Sequence, residues 1–120
     1  KTFLDTRSNA HDFDVARHGW VADYMDPSNF LELFITGGGN NDGLYSNPKF
    51  DELVKKAATM PDSPERNQVL MEAEKIFAED QGMLPLYWYV DLDMIDLTKW
   101  NGWYGNPLGV HHWKFISKKK

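Results

Sequence analysis

Apolar residues recur at helical spacing in the middle of the chain and at other spacings on either side. From Phe50 to Ala58, the residues Phe50, Leu53, Val54 and Ala57 fall on one stripe, which predicts an amphipathic helix. Asn47-Pro48 supplies its start: a side-chain oxygen for an orphan amide, then a residue suited to the first helical position. Met60-Pro61-Asp62 breaks the pattern, and Ser63-Pro64-Glu65-Arg66 opens the longest predicted helix, reaching about Asp80. Its apolar positions are Val69, Leu70, Ala73, Ile76 and Phe77. A shorter helix starts at Asp26-Pro27, carries Leu31 and Phe34 at helical spacing, and stops at Gly37-Gly38-Gly39. Asn40-Asn41-Asp42-Gly43 continues it as a polar loop.

The period changes outside this block. Residues 1–11 read as a short helical or irregular opening. Phe13 to Trp20 reads as a strand, with Phe13 and Val15 on one face and Asp14 and Ala16 on the other; Gly19 would admit a second backbone. Met83 to Val90 is dense in apolar and aromatic residues and predicts a strand with Pro85 near its start. Met94 to Leu97 and Val110 to Ile116 are further strand candidates, separated by a turn-rich loop from Trp100 to Pro107. One strand, three helices and then strands make an α/β chain, or an α+β fragment.

Charge and composition narrow the partners. A formal net charge of −5 argues against nucleic acid, and Lys118-Lys119-Lys120 reads as a solvated tail. No stretch approaches the roughly 18 apolar residues of a membrane span. Cysteine is absent, which removes disulfides, thiolate metal sites and a cysteine nucleophile from this chain. Lys1 to Asp5 lacks a hydrophobic leader core, the pattern of a cytoplasmic protein or of the C-terminal piece of an exported one. Trp and Tyr crowd into the second half, at Tyr87, Trp88, Tyr89, Trp100, Trp103, Tyr104 and Trp113. Rings with polar tips suit binding surfaces, or a sheet that packs against something outside this chain.

The densest chemistry lies in Arg17-His18-Gly19-Trp20-Val21-Ala22-Asp23-Tyr24-Met25-Asp26-Pro27. Asp23 is either a loop carboxylate near a helix start or an anchor for a cationic group. Between Trp20 and Tyr24 it would be screened from water, where a charge-assisted bond to an ammonium is strong. An extended peptide could pair with the main chain at Gly19 and Val21; ordinary pairing with a strand of the same protein is the alternative. Arg17 and Arg7 could take a carboxylate bidentately, or pair with Asp5, Asp12 or Asp14.

Metal and catalytic patterns are weak. His11 and His18 are far apart, and His111 and His112 would face opposite sides of a strand. Asp91-Leu92-Asp93 lacks the Gly and closing Glu of a calcium loop. The triglycine is not a phosphate loop, and no nucleophile elbow is present. The expectation is a non-enzyme with no metal and no cofactor.

Several stretches together carry a resemblance: Phe3-Leu4-Asp5-Thr6-Arg7, Phe13-Asp14-Val15-Ala16-Arg17, Gly19-Trp20-Val21-Ala22-Asp23-Tyr24, Tyr45-Ser46-Asn47-Pro48-Lys49-Phe50-Asp51-Glu52-Leu53 and Pro85-Leu86-Tyr87-Trp88-Tyr89-Val90. Over most of its length the chain resembles the C-terminal portion of the extracytoplasmic oligopeptide-binding proteins that serve ABC importers. The resemblance implies a two-lobed periplasmic-binding-protein-like fold that closes on an extended peptide. It implies that Asp23 holds the peptide amine, that Gly19 and Val21 bond its backbone, and that Trp20 walls a side-chain pocket. Arg17, supported by Arg7, would reach a peptide carboxylate, and Asn40 and Tyr89 would edge the pocket. Residues 1–80 would belong to the second lobe and 81–120 would return to the first. The implied partners are an oligopeptide, the N-terminal remainder of the receptor and the importer's membrane subunits, in the periplasm or at the cell surface. The competing reading is a carbohydrate-binding module that stacks sugars on Trp100, Trp103 and Trp113.

Overall fold

The computed structural model describes residues 2–90 and 92–120; Asp91 of the Asp91-Leu92-Asp93 run lies outside them. The chain divides into two compact units, residues 1–85 and 86–120.

In the first unit, α3 (Pro48–Ala58) and α4 (Pro64–Glu79) form where the stripes and start signals predict them. Asn47 Oδ1 accepts from the backbone N–H groups of Lys49 and Phe50, and Ser63 Oγ from that of Arg66. The helices bury their stripes against each other: Phe50, Val54 and Ala57 from α3 meet Leu70, Ala73 and Phe77 from α4. Val69, Ile76 and Leu53 are half-buried at the margin. A short α2 (Ser28–Leu31), extended by a 3-10 turn (Glu32–Phe34), closes the core with Leu31, Leu33 and Phe34. Phe77 is the centre of an aromatic cluster. It stacks on Phe34 at 4.5 Å between ring centroids and meets Tyr45 edge-on at 4.9 Å. Gly82, just beyond α4, donates its N–H to the Phe77 carbonyl, and a Cβ there would run into the Phe77 ring.

The opening segment is helical: α1 (Thr2–Leu4) continues as a π-type turn (Asp5–Ala10) that ends at His11 with φ 49°.

The strands expected at 13–20, 83–90, 94–97 and 110–116 do not form. Residues 13–22 carry no regular structure, and no backbone–backbone hydrogen bond among the described residues engages them. The segment after Gly82 is likewise irregular, with Leu84, Trp88, Val90 and Met94 exposed. A strand exists only through its partner, and the described residues supply none for these segments. The second unit holds a minimal antiparallel ladder instead, pairing β1 (Trp100–Asn101) with β2 (Ser117–Lys118). A 3-10 turn (Trp113–Phe115) occupies the predicted last strand. Gly102, at φ 84°, makes the ladder possible: a Cβ would collide with the Phe115 carbonyl. Asn106 braces the loop before the 3-10 turn, accepting from the N–H groups of Leu108 and Val110 and donating to the Val110 carbonyl.

Candidate functional site

Residues 13–22 run over the first unit without a ladder of their own, so side chains must fix their course. The inward device is Asn29, at the start of α2 and 2% exposed. Its Oδ1 accepts from the Trp20 indole Nε1–H at 2.9 Å and from the Asp23 backbone N–H at 3.2 Å. Both partners can only donate, so the shared atom must be the oxygen. Trp20 thereby turns its ring against the helical core, and Val21 and Asp23 are left exposed. Among the described residues no side chain pairs with the Asp23 carboxylate. The screening expected from Trp20 and Tyr24 is not supplied by those residues: Asp23 is exposed, and Tyr24 sends its hydroxyl to Glu32 Oε1 at 2.6 Å.

The turn after Asp23 is locked to the core. Asp26 Oδ1 accepts from the Ser28 N–H, the bond expected of a helix-start Asp. Both Asp26 oxygens also take the Arg66 guanidinium, at 2.7 and 2.9 Å, while Arg66 Nε donates to the Ala57 carbonyl. Arg66 is buried and the pair is bidentate. The hydrogen bonds from Arg66 hold the Asp26 carboxyl well below the usual carboxylate range.

A second cluster gathers Arg7, Arg17, His18 and the Asn40 loop. Arg7 pairs with Asp42, not with Asp5, Asp12 or Asp14. Arg7 Nε lies 2.8 Å from Asp42 Oδ2, an ion pair by distance whose N–H direction does not make it a hydrogen bond. Arg7 Nη1 also reaches the Arg17 carbonyl at 3.4 Å. His18 packs on Phe34 and meets the Asn40 backbone; burial, then the nearby Arg7 cation, lowers its pKa. His11 shares a hydrogen bond with the Asp42 carbonyl at 2.9 Å. An open hollow of about 400 Å³ lies beside the pair, lined by Ser8, His11, Gly38, Asp42, Tyr45 and Ser46 among others.

The loop itself is held by Asn41 rather than Asn40. Asn41 is buried and its Nδ2 donates to the carbonyls of Tyr45, Ile35 and Phe34, while its Oδ1 accepts from the Tyr45 N–H. Asn40 is exposed beside it. Gly37, at φ 74°, turns the chain so that the Gly38 N–H closes on the Ile35 carbonyl.

Arg7, Arg17, Gly19, Trp20, Val21, Asp23 and Asn40 therefore all belong to the first unit. Tyr89 belongs to the second, where its ring meets Tyr87 edge-on and their hydroxyls lie 3.2 Å apart. In the same unit Trp103 is stacked on His111 at 3.8 Å, which occupies one ring face and weakens the sugar-platform reading. Among the described residues no group of three or more His, Asp or Glu side chains is placed to hold a metal.

Asn29, Asn41 and the Asp26–Arg66 pair are structural supports that the sequence pattern does not mark. The one available signal was polarity on a helix: Arg66 sits four residues before Leu70 and seven before Ala73, on the buried stripe of α4.

No family model matches the chain. Curated relatives do. It is 38% identical over 104 residues to the periplasmic oligopeptide-binding protein OppA of Salmonella typhimurium, covering 87% of this chain and 19% of that one. It is 40% identical over 84 residues to the oligopeptide-binding protein OppA of Bacillus subtilis, covering 69% of this chain and 15% of the relative. The chain thus spans less than a fifth of the length of these relatives. Among solved structures, the unliganded open form of the periplasmic murein tripeptide-binding protein MppA matches with a TM-score of 0.64 and 36% identity, over 68% of this chain and 16% of that one. Over most of its length the chain matches, in sequence and in fold, a part of the periplasmic oligopeptide-binding proteins.

Proposed function

We propose that this chain carries part of the peptide site of an extracytoplasmic receptor that delivers oligopeptides to an ABC importer. The observation that carries this reading is the segment from residue 13 to 22. Among the described residues its backbone forms no hydrogen bond with other backbone, and it leads into the exposed Asp23 carboxylate, with which no described side chain pairs, yet it is tied to a helical core at both Trp20 and Asp23. An extended peptide laid beside Gly19 and Val21 would find main-chain partners whatever its side chains. Its α-amino group would reach Asp23, and its carboxylate Arg17, with Arg7 in support. Asn40 would edge the pocket, and a second lobe would supply the water exclusion that Trp20 and Tyr24 do not.

Residues 1–80 belong, on this reading, to one lobe, and residues 81–120 return to the other. The exposed apolar run that includes Leu86, Trp88 and Val90 supports this, since such a run needs a covering surface. The remainder of the receptor and the importer's membrane subunits are the partners. The relatives named periplasmic place the work outside the cytoplasm. The receptor captures and releases its ligand without turnover.

The test is Asp23→Ala in the intact receptor, with tripeptide binding followed by calorimetry. Loss of the ammonium partner should weaken binding by more than about 2 kcal/mol, as for a desolvated charge pair. Unchanged affinity would remove Asp23 as the anchor.

A further inference from the structure

The ammonium anchor needs more than a carboxylate of the right charge. Asp23 follows ten residues whose backbone forms no hydrogen bond with other backbone among the described residues, so no ladder sets where its side chain points. Resting on the reading of Asp23 as the amine anchor, we propose that Asn29 is the residue that positions it, and thereby determines preference for ligands with a free α-amine.

The support for Asp23 runs outward from the core. Arg66 on α4 donates through Nε to the Ala57 carbonyl of α3, so its guanidinium is fixed by both long helices. It grips Asp26 with two hydrogen bonds, and the Asp26 carbonyl accepts the Asn29 N–H at 3.1 Å. Asn29 is fully enclosed, and a single oxygen takes both the Trp20 indole N–H and the Asp23 amide. The first bond sets the ring that anchors the segment to the core; the second sets the backbone from which the carboxylate projects. Among the described residues no other side chain bonds to the main chain at Asp23. A charge-assisted hydrogen bond is steep in direction and distance, so release of this one oxygen lets the carboxylate wander while leaving its charge in place.

The experiment uses the intact receptor and two probes, trialanine and N-acetyltrialanine. The readouts are the ratio of their Kd values, the melting temperature, and the indole N–H band of Trp20 by ultraviolet resonance Raman difference against Trp20→Phe. Asn29→Ala should lower the preference for the free amine by about tenfold or more and shift the indole band toward a weaker hydrogen bond. Asn29→Asp keeps an acceptor oxygen in the same place and should keep most of the preference, whatever it does to stability. Asn29→Leu keeps the volume without the acceptor and stands in, on the same criteria, should the alanine variant not fold.

A wild-type preference in the acceptor-less variant overturns the proposal, as does equal loss in the alanine and aspartate variants, which would assign the effect to packing. Asp23→Ala separates this from failure of the underlying reading. If that variant keeps the free-amine preference, the anchor itself is wrong. If it loses the preference while Asn29→Ala keeps it, only the positioning role is wrong.

Discussion

Asn40 and Asn41 are neighbours of identical chemistry, and the structure predicts opposite responses to the same substitution. Asn41→Ala removes donors to the Tyr45 carbonyl at 2.7 Å, the Ile35 carbonyl at 3.2 Å and the Phe34 carbonyl at 3.4 Å, together with the acceptor for the Tyr45 N–H at 3.0 Å. The site is 4% exposed, so water cannot readily replace these bonds. At about 1 kcal/mol net per good hydrogen bond, with a further penalty for stranded buried groups, the loss comes to about 3–4 kcal/mol. That is a large share of the 5–15 kcal/mol typical of a domain. Asn40→Ala removes an exposed side chain and should cost no more than about 0.5 kcal/mol. Urea unfolding of the 120-residue chain, followed by far-ultraviolet circular dichroism, measures both. The Asn41 midpoint should fall by about 1 M or more at unchanged slope, while the Asn40 midpoint stays put. Equal shifts for the two variants would refute the reasoning, because burial and bond count would then have failed to rank them.

Two other contacts make equally direct tests. The Asp26 carboxyl is held low by Arg66, so the stability it contributes is present above about pH 4 and is lost as pH falls through its lower folded value. The gap in unfolding midpoint between wild type and Asp26→Asn should therefore narrow steadily as pH falls from 5 toward 2, and a constant gap would contradict the pairing. Gly82→Ala drives a methyl into the Phe77 ring, which Phe34 and Tyr45 already hold on other sides, and should cost about 1–3 kcal/mol by overpacking; a neutral effect on thermal unfolding would show that the ring can move aside.

What the sequence determined is local. Asn47-Pro48 and Ser63-Pro64 announce α3 and α4 because a cap and a proline act within one turn of themselves, and the stripes from Phe50 to Ala57 and from Val69 to Phe77 name the core because helical periodicity is a short-range property. The family was legible for a related reason: the Trp20 to Tyr24 stretch and its companions keep their spacing along the chain, and identity needs no contact to be read. Strands were misread because alternation describes a face and not a partner. Phe13 to Trp20 has the pattern, and nothing among the described residues to pair with.

Tertiary structure alone decided which polar residues are buried supports and which stay exposed. Asp26 meets Arg66 across 40 positions and Arg7 meets Asp42 across 35. No residue type at either end of such a pair signals the other. Asn29 and Asn41 look like any turn asparagine until the packing of α2 and the glycine loop buries them. Burial converts an ordinary amide into a fixed hydrogen-bonding centre, because the groups it serves have no water to turn to, and burial is a property of the assembled chain.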